Sequence, residues 1–380
     1  MTYEKLTALL KAQSSAMLDA IEILVNHESP SRDKAALDKV SDLIAVRFHA
    51  IGGAVEKLAN PQGGDHLRIR FGDFEGGAKT TLVLGHFDTV WPIGTIETMP
   101  FHVADGRARG PGIFDMKSSL VITEYAISGL KAAGIPLNRP VELLFTSDEE
   151  IGSVTSRGLI EEFASRAAQV LVLEPPLSGN RFKTARKGVG GFTVEVIGKA
   201  AHAGVEPEKG INAIVELAHQ ILAIGKFADR EAGTTLNVGV VHGGTTVNVV
   251  PAVAIARIDV RAVTASESRR IEAAMAGLSP VLPGATLKVT GGFNRPPMER
   301  TPGVAALFER ARAVGGKLGF ELGEGSTGGG SDGNFTAAIG VPTLDGLGVP
   351  GSGAHAIDEH IVVASLPERA TLLAALLTEL

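Results

Sequence analysis

Three short apolar runs, Thr80–Leu84, Val141–Thr146 and Gln169–Leu173, each stop abruptly at charge. His86-Phe-Asp88 follows the first, Asp148-Glu-Glu150 the second and Glu174-Pro the third. Short apolar runs bounded by turn-forming residues read as buried strands. In open α/β sheets, ligands sit beyond the carboxyl ends of the strands. A chain that ends several buried strands in this way predicts an α/β fold with acids and imidazoles gathered at one edge of its sheet. His86 and Asp88 are two apart, so on an extended backbone both leave from the same face. That suits one imidazole that binds a metal and a carboxylate that fixes its orientation. Asp148, Glu149 and Glu150 repel one another, and burying them together is costly unless protons or a cation compensate.

Around these runs the periodicity predicts helices over 3–25 and 33–51, the second stopped by Gly52-Gly53, then strands over Ala54–Leu58 and His66–Phe71. Trp91-Pro-Ile-Gly94 is a turn, and the glycines and proline of Arg109-Gly-Pro-Gly-Ile-Phe-Asp115 force an irregular loop just before Asp115. A helix follows over Ser118–Ala133, and another precedes Gln169–Leu173. Residues 191–293 change register. Strand Gly191–Gly198, helix Ile211–Phe227, strands Thr234–Val241 and Val253–Val263, helix Glu267–Leu278 and strand Ala285–Val289 give β-α-β-β-α-β, the split-βαβ order. In the first of these helices Ile211, Ile214, Val215, Ala218, Ile221 and Leu222 form the expected apolar stripe. After Arg300 come a helix, a glycine-rich loop, the strand Val341–Leu344 and a C-terminal helix. The expected organisation is therefore a discontinuous mixed-sheet α/β domain, 1–187 with 297–380, and an inserted ferredoxin-like domain, 188–296.

A length of 380 residues agrees with two domains, and 44% hydrophobic against 21% charged residues describes a globular chain. There is no cysteine, which excludes disulfides and thiolate ligands, so any metal is held by His, Asp and Glu. Such ligands suit zinc, manganese or cobalt. A net charge of −6 argues against a nucleic-acid surface. No segment carries the apolar run of about 18 residues needed to span a membrane. The first 25 residues lack the apolar core of a secretory signal. The expectation is a soluble, cytoplasmic protein without nucleic-acid or membrane partners.

Five motifs in order, His86-Phe-Asp88, Gly110-Pro-Gly112…Asp115-Met-Lys, Asp148-Glu-Glu150, Glu174-Pro and Gly353-Ala-His355, resemble those of the dinuclear-zinc aminoacylase/carboxypeptidase family, which includes acetylornithine and succinyl-diaminopimelate deacylases. Within it the chain is most similar to bacterial glutamate carboxypeptidases of the folate-cleaving kind. That likeness extends to Asp88-Thr-Val-Trp-Pro92, Gly198-Lys-Ala-Ala-His-Ala-Gly204 and Thr327-Gly-Gly-Gly-Ser-Asp332. The resemblance implies two Zn²⁺ per subunit, with Mn²⁺ or Co²⁺ as the other suitable ions. Asp115 would bridge them, His86 and Glu174 would complete one site, and Glu150 and His355 the other. It further implies that Glu149 is the general base, that Asp88 holds the His86 ring, and that a non-proline cis peptide follows Asp115. The inserted domain would dimerise the protein and bring His202, assisted by Asn248, to the partner subunit's active site to stabilise an oxyanion. Arg261 and Arg295 match positions that bind substrate carboxylates, and the backbone beside Thr327 and Gly329 would approach the substrate. The implied reaction is hydrolysis of an amide bond, releasing a C-terminal amino acid, glutamate first, from an N-acyl or peptidyl group. Met116 and Phe87 depart from the family's usual residues and bear on packing or substrate fit.

Other readings remain. An aminoacylase of different specificity keeps the mechanism and changes the substrate. Gly329-Gly-Ser331-Asp-Gly333 fits G-x-S-x-G, and with Asp345 and His355 gives the chain order of an α/β-hydrolase triad, although no strand is expected before Ser331. Gly328–Gly333 also fits G-x-G-x-x-G, but without the expected βαβ setting. A non-catalytic binding protein on the same fold is the third alternative.

Overall fold

In the computed structural model, which describes residues 3–380, the apolar runs form the middle of an eight-stranded mixed sheet. Its order is Ala54–Leu58, His66–Phe71, Val141–Thr146, Thr80–His86, Ala167–Val172, Thr343–Asp345, Phe182–Arg186 and Glu324–Thr327. Thr80–His86 lies between Val141–Thr146 and Ala167–Val172 and runs parallel to both. All seven of its residues are buried. Burial on both faces is why these strands read as continuous apolar runs and not as an alternation. The register pairs His86 with Thr146 and Leu84 with Val172, so residues 147–150 and Glu174 leave the sheet at the edge where His86 ends.

The chain divides into two compact units. One comprises the residues up to Ala185 with Arg300–Ser326 and Ser331–Leu380; the other comprises Arg186–Glu299 with Thr327–Gly330. Residues 1 and 2 of the expected catalytic segment lie outside the described residues. In the first unit, helices Ser118–Ala133 and Leu366–Glu379 pack together and contribute Leu120, Ile122, Leu373 and Leu376 to the core. The helix expected over 3–25 is broken at Gln13 (φ −96°, ψ 8°) into Tyr3–Ala12 and Ser14–Val25. A small four-stranded sheet, Gly351–Ser352, His360–Val362, Arg107–Arg109 and His102–Ala104, has no counterpart in the sequence reading. Its strands, two or three residues long, are too short for periodicity to mark them.

The second unit has the order strand Gly188–Ile197, helix Ala213–Gly225, strands Thr235–Gly243 and Val253–Ala262, helix Ala265–Ala276, strand Thr286–Arg295. The strands form an antiparallel sheet with Thr235–Gly243 and Thr286–Arg295 at its edges. Val194, Val196, Ala256, Ile258 and Val260 alternate onto the face covered by the helices. Both helices start at side-chain caps: Asn212 accepts from the amides of Ile214 and Val215, and Thr264 from that of Glu267. The stripe expected on the first helix is corrected by the structure. Ala213, Leu217 and Ile224 face the sheet, whereas Ile214, Val215 and Leu222 point outward, Leu222 with 70% of its surface exposed. This helix is apolar on more than one face, and spacing alone does not say which face meets the sheet.

Candidate metal centre

Each ligand candidate arrives on a different piece of the first unit. His86 closes the central strand, and its ring is buried. Asp115 sits in the irregular turn Ile113–Lys117 that opens helix Ser118–Ala133, and the Asp115–Met116 peptide is cis. Gly112 (φ 70°) makes that turn possible, since a Cβ there would lie 2.5 Å from Thr89 Cγ2. Glu149 and Glu150 form a single helical turn after strand Val141–Thr146, and Glu174 lies just past Val172. His355 occupies a left-handed position (φ 63°) two residues after Gly353.

These pieces meet. His86 Nε2 lies 3.3 Å from Asp115 Oδ1 and 3.7 Å from Glu174 Oε1. His355 Nε2 lies 3.6 Å from Asp115 Oδ2 and 3.2 Å from each carboxylate oxygen of Glu150. The two oxygens of Asp115 thus face different imidazoles, the geometry of a bridging carboxylate. Ligand atoms of His86, Asp115 and Glu150, and likewise of His86, Glu149 and Glu174, lie within 4.8 Å of one another. Proximity therefore admits Glu149 as well as Glu150 near a cation; the contact of Glu150 with His355 distinguishes the two.

Electrostatics explains what such a cluster needs. Burial alone would push the His86 pKa down, yet Asp115 and Asp88 hold it well above the ordinary histidine value. His355 is raised to about 10 by Asp115 and Glu150. Burial works to raise Asp115, but the two imidazoles keep it below the usual carboxylate range. Burial raises Glu150. Without a cation, protons on the imidazoles would offset the crowded carboxylates. A divalent ion would replace those protons. His86 Nε2 and Asp115 Oδ1 are buried and find no hydrogen-bond partner among the described residues. Buried polar atoms normally have one, and these two face each other where an ion would sit. The donor set fits a metal.

Asp88 acts somewhat differently from expectation. His86 Nδ1 is 3.0 Å from the Asp88 carbonyl oxygen and 3.4 Å from its carboxylate. The carboxylate instead accepts from the amides of Glu149 and Glu150, both at 3.1 Å, and from Ser31 Oγ at 2.7 Å. It holds the acidic turn as much as the imidazole. The third acid of that turn is structural: Asp148 accepts from Thr155 N, Thr155 Oγ1 and Ser156 Oγ at 2.6–2.7 Å. Met116 is buried, and its sulfur accepts from the His86 amide at 3.3 Å. Phe87 is likewise buried in the core, so both departures are packing residues.

The remaining candidates lie on the second unit. His202 is exposed, its Nδ1 accepting from the Gly204 amide at 3.1 Å, and Ala203 N donates to the Asn248 carbonyl, so these two loops are neighbours. Arg261 is engaged bidentately by Asp259, at 3.0 and 2.9 Å, and reaches the Gly328 carbonyl at 3.4 Å. Arg295 is buried. The Thr327 carbonyl accepts from Lys187 N, and those of Gly329 and Gly330 from Arg186 Nη1. Arg186, given no role by sequence, thus shapes the glycine-rich loop.

Neither chance motif of the glycine-rich loop makes a site. Ser331 is fully buried; its hydroxyl donates to Asp345 at 2.7 Å and accepts from Gly333 N, while His355 pairs with Asp115 and Glu150. No nucleophile elbow results. A four-residue strand, Glu324–Thr327, does precede the glycine-rich loop, contrary to expectation. The loop amides of Ser331 and Gly333 are nonetheless bonded to the Asn334 and Ser331 side chains, so they form no phosphate cradle. Sequence reasoning also passed over Glu359, four residues after His355, which is fully buried beneath the Asp115 turn.

Residues 82–379 match the model of peptidase family M20/M25/M40. The chain is 32% identical over 379 residues to carboxypeptidase G2 of a Pseudomonas species, covering 97% of this chain and 90% of that protein. It is 29% identical over 371 residues to succinyl-diaminopimelate desuccinylase of Acidovorax ebreus, covering 90% and 92%. The crystal structure of aminopeptidase PepT from Bacillus cereus superimposes with a TM-score of 0.80 at 25% identity, covering 96% of this chain and 98% of that one. A sheet that gathers acids and imidazoles at one edge, and a family match across most of the chain, lead to one conclusion: the chain belongs to peptidase family M20/M25/M40 and is a metal-dependent hydrolase.

Proposed function

We propose that the protein is a dinuclear zinc carboxypeptidase that releases glutamate from an N-acyl or peptidyl group. The observation that carries this reading is the meeting of His86, Asp115, Glu150, Glu174 and His355, with Asp115 turned one oxygen to each imidazole. In it, Asp115 would be shared between two divalent ions, with His86 and Glu174 holding one and Glu150 and His355 the other. Divalent ions held there would make a water more acidic and polarise the scissile carbonyl. Glu149, set by the Asp88 carboxylate through its amide, takes the proton from the attacking water and delivers it to the leaving nitrogen.

His202 and Asn248 are assigned to oxyanion stabilisation. Arg261 and Arg295 are assigned to the substrate carboxylates, whose planar geometry a guanidinium fork matches. Arg261 would exchange Asp259 for the substrate. The backbone at Thr327 and Gly329 would line the approach. Likeness to carboxypeptidase G2 supports a carboxypeptidase, and the motif resemblance favours glutamate as the residue released. Likeness to a desuccinylase supports the second reading, an N-acyl amino acid amidohydrolase of other specificity.

The second unit is assigned to dimerisation. Ile214, Val215 and Leu222 on its first helix, and Val240 and Val241 on the edge strand Thr235–Gly243, are exposed apolar side chains that suit a second copy of the chain. No helix among the described residues is long and apolar enough to cross a membrane, and the cytoplasm is the proposed location.

The test is a panel of N-acyl amino acids and of α- and γ-glutamyl peptides, assayed with metal analysis of the same sample. Activity lost to a chelator and restored by zinc, with glutamate as the preferred leaving residue, is the expected result. Preference for another amino acid moves the assignment to the second reading; chelator-insensitive turnover overturns both.

A further inference from the structure

Glu359 lies at a junction that neither the family match nor the ligand assignment explains. Its side chain is fully buried. One carboxylate oxygen accepts from the amides of Phe114 at 2.9 Å and Asp115 at 3.1 Å. The other accepts from the Gly112 amide at 3.0 Å and from Trp91 Nε1 at 2.9 Å. Three of these donors belong to the turn that presents Asp115, and the fourth to the segment that leaves the central strand through His86 and Asp88. Glu359 itself follows His355 in a tight turn, Ala356 N bonding to the Gly353 carbonyl and Glu359 N to that of Ala356. One carboxylate therefore ties together the chain segments that carry His86, Asp115 and His355.

We propose that Glu359 is a positioning residue, whose carboxylate presets the Asp115 turn against the His355 turn and so sets the affinity of the centre for its metal ions. The physical need is plain. Asp115 stands among other carboxylates that repel it, in an irregular turn whose own backbone bonds, such as Lys117 N to the Gly112 carbonyl, leave the amides of Gly112, Phe114 and Asp115 to Glu359. A buried anion that accepts three of the turn's own amides supplies the missing restraint before any ion arrives. Partners one step removed from a metal commonly tune its affinity in this way. The inference rests on the metal reading above, for which Asp115 and His355 are ligands.

Glu359→Gln keeps the shape but turns one acceptor oxygen into a donor NH₂, so two of the four N–H partners lose their acceptor. The variant is expected to bind zinc about 10–100-fold more weakly in competition with a chromophoric chelator. Its kcat should recover at saturating zinc, because Glu359 is not itself assigned a contact with substrate. Emission from Trp91, the single tryptophan, reports which pair is lost, changing if the NH₂ takes the place of the oxygen shared by Trp91 and Gly112. A folded variant whose zinc affinity stays within about twofold of the parent overturns the proposal. Should the variant not fold, hydrogen exchange on the metal-free parent decides. Slow exchange at Gly112, Phe114 and Asp115 supports a preset turn, whereas exchange that slows only after zinc is added overturns it. A parent protein that binds no divalent ion would instead sink the dinuclear reading, so the two failures are told apart.

Discussion

Glu149 and Glu150 are adjacent, yet they meet different neighbours. Glu150 contacts His355, while Glu149 groups with His86 and Glu174 and is proposed as the general base. Glu149→Gln should lower kcat by about 10²–10⁴-fold while metal content by elemental analysis stays near that of the parent. A variant that turns over normally would remove Glu149 from the mechanism. Ser331 gives the opposite case. Ser331→Ala should keep near-normal turnover, and parent and variant should both be insensitive to a serine-directed fluorophosphonate, since the buried hydroxyl serves Asp345 and Gly333. It should cost about 1–3 kcal/mol of stability in a denaturant titration, because a buried hydrogen-bonding group loses its partner. The His86-x-Asp88 pair was legible in sequence because a two-residue spacing on a strand fixes the face. That the Asp88 carboxylate reaches forward to the amides of Glu149 and Glu150 was not, since those amides come from another strand's end.

Among the elements, strands buried on both faces and helices with glycine stops were read close to their observed limits. Val141–Thr146 and Ser118–Ala133 coincide with the expected segments. Helix Ala213–Gly225 departs from expectation in an informative way, with Ile214, Val215 and Leu222 of its predicted stripe facing outward while Ile221 packs against the sheet. Spacing reports that a face is apolar; it does not report whether a sheet or a second molecule covers it. If a second copy covers it, Leu222→Asp should shift the protein from dimer to monomer in light scattering after size exclusion, while the far-ultraviolet circular dichroism stays unchanged. A parent that is monomeric at micromolar concentration would remove the dimer assignment.

For the whole molecule, the centre couples metal binding to protons. His355 is held up to about 10 when only carboxylates surround it, so it carries a proton at pH 7 in the metal-free protein, and His86 is shifted in the same direction by Asp115 and Asp88. An imidazole must lose its proton to ligate. Zinc binding at pH 7 should therefore release protons, seen as a buffer-dependent heat in calorimetry. Affinity should fall as the pH is lowered, because protons then compete more strongly for the same nitrogens. Heats independent of the buffer's ionisation enthalpy would contradict this.

By itself the sequence determined the buried central strands, the order of helices and strands and the kinds of side chain that end those strands, because apolar period and turn chemistry are local properties. Tertiary structure alone decided which carboxylates share an imidazole, that Asp148 and Ser331 are structural, that Met116 packs under His86, and that Glu359 braces the Asp115 turn. Each of those depends on groups far apart along the chain meeting in a low-dielectric interior. There an unpaired charge is costly and every partner is chosen by the fold.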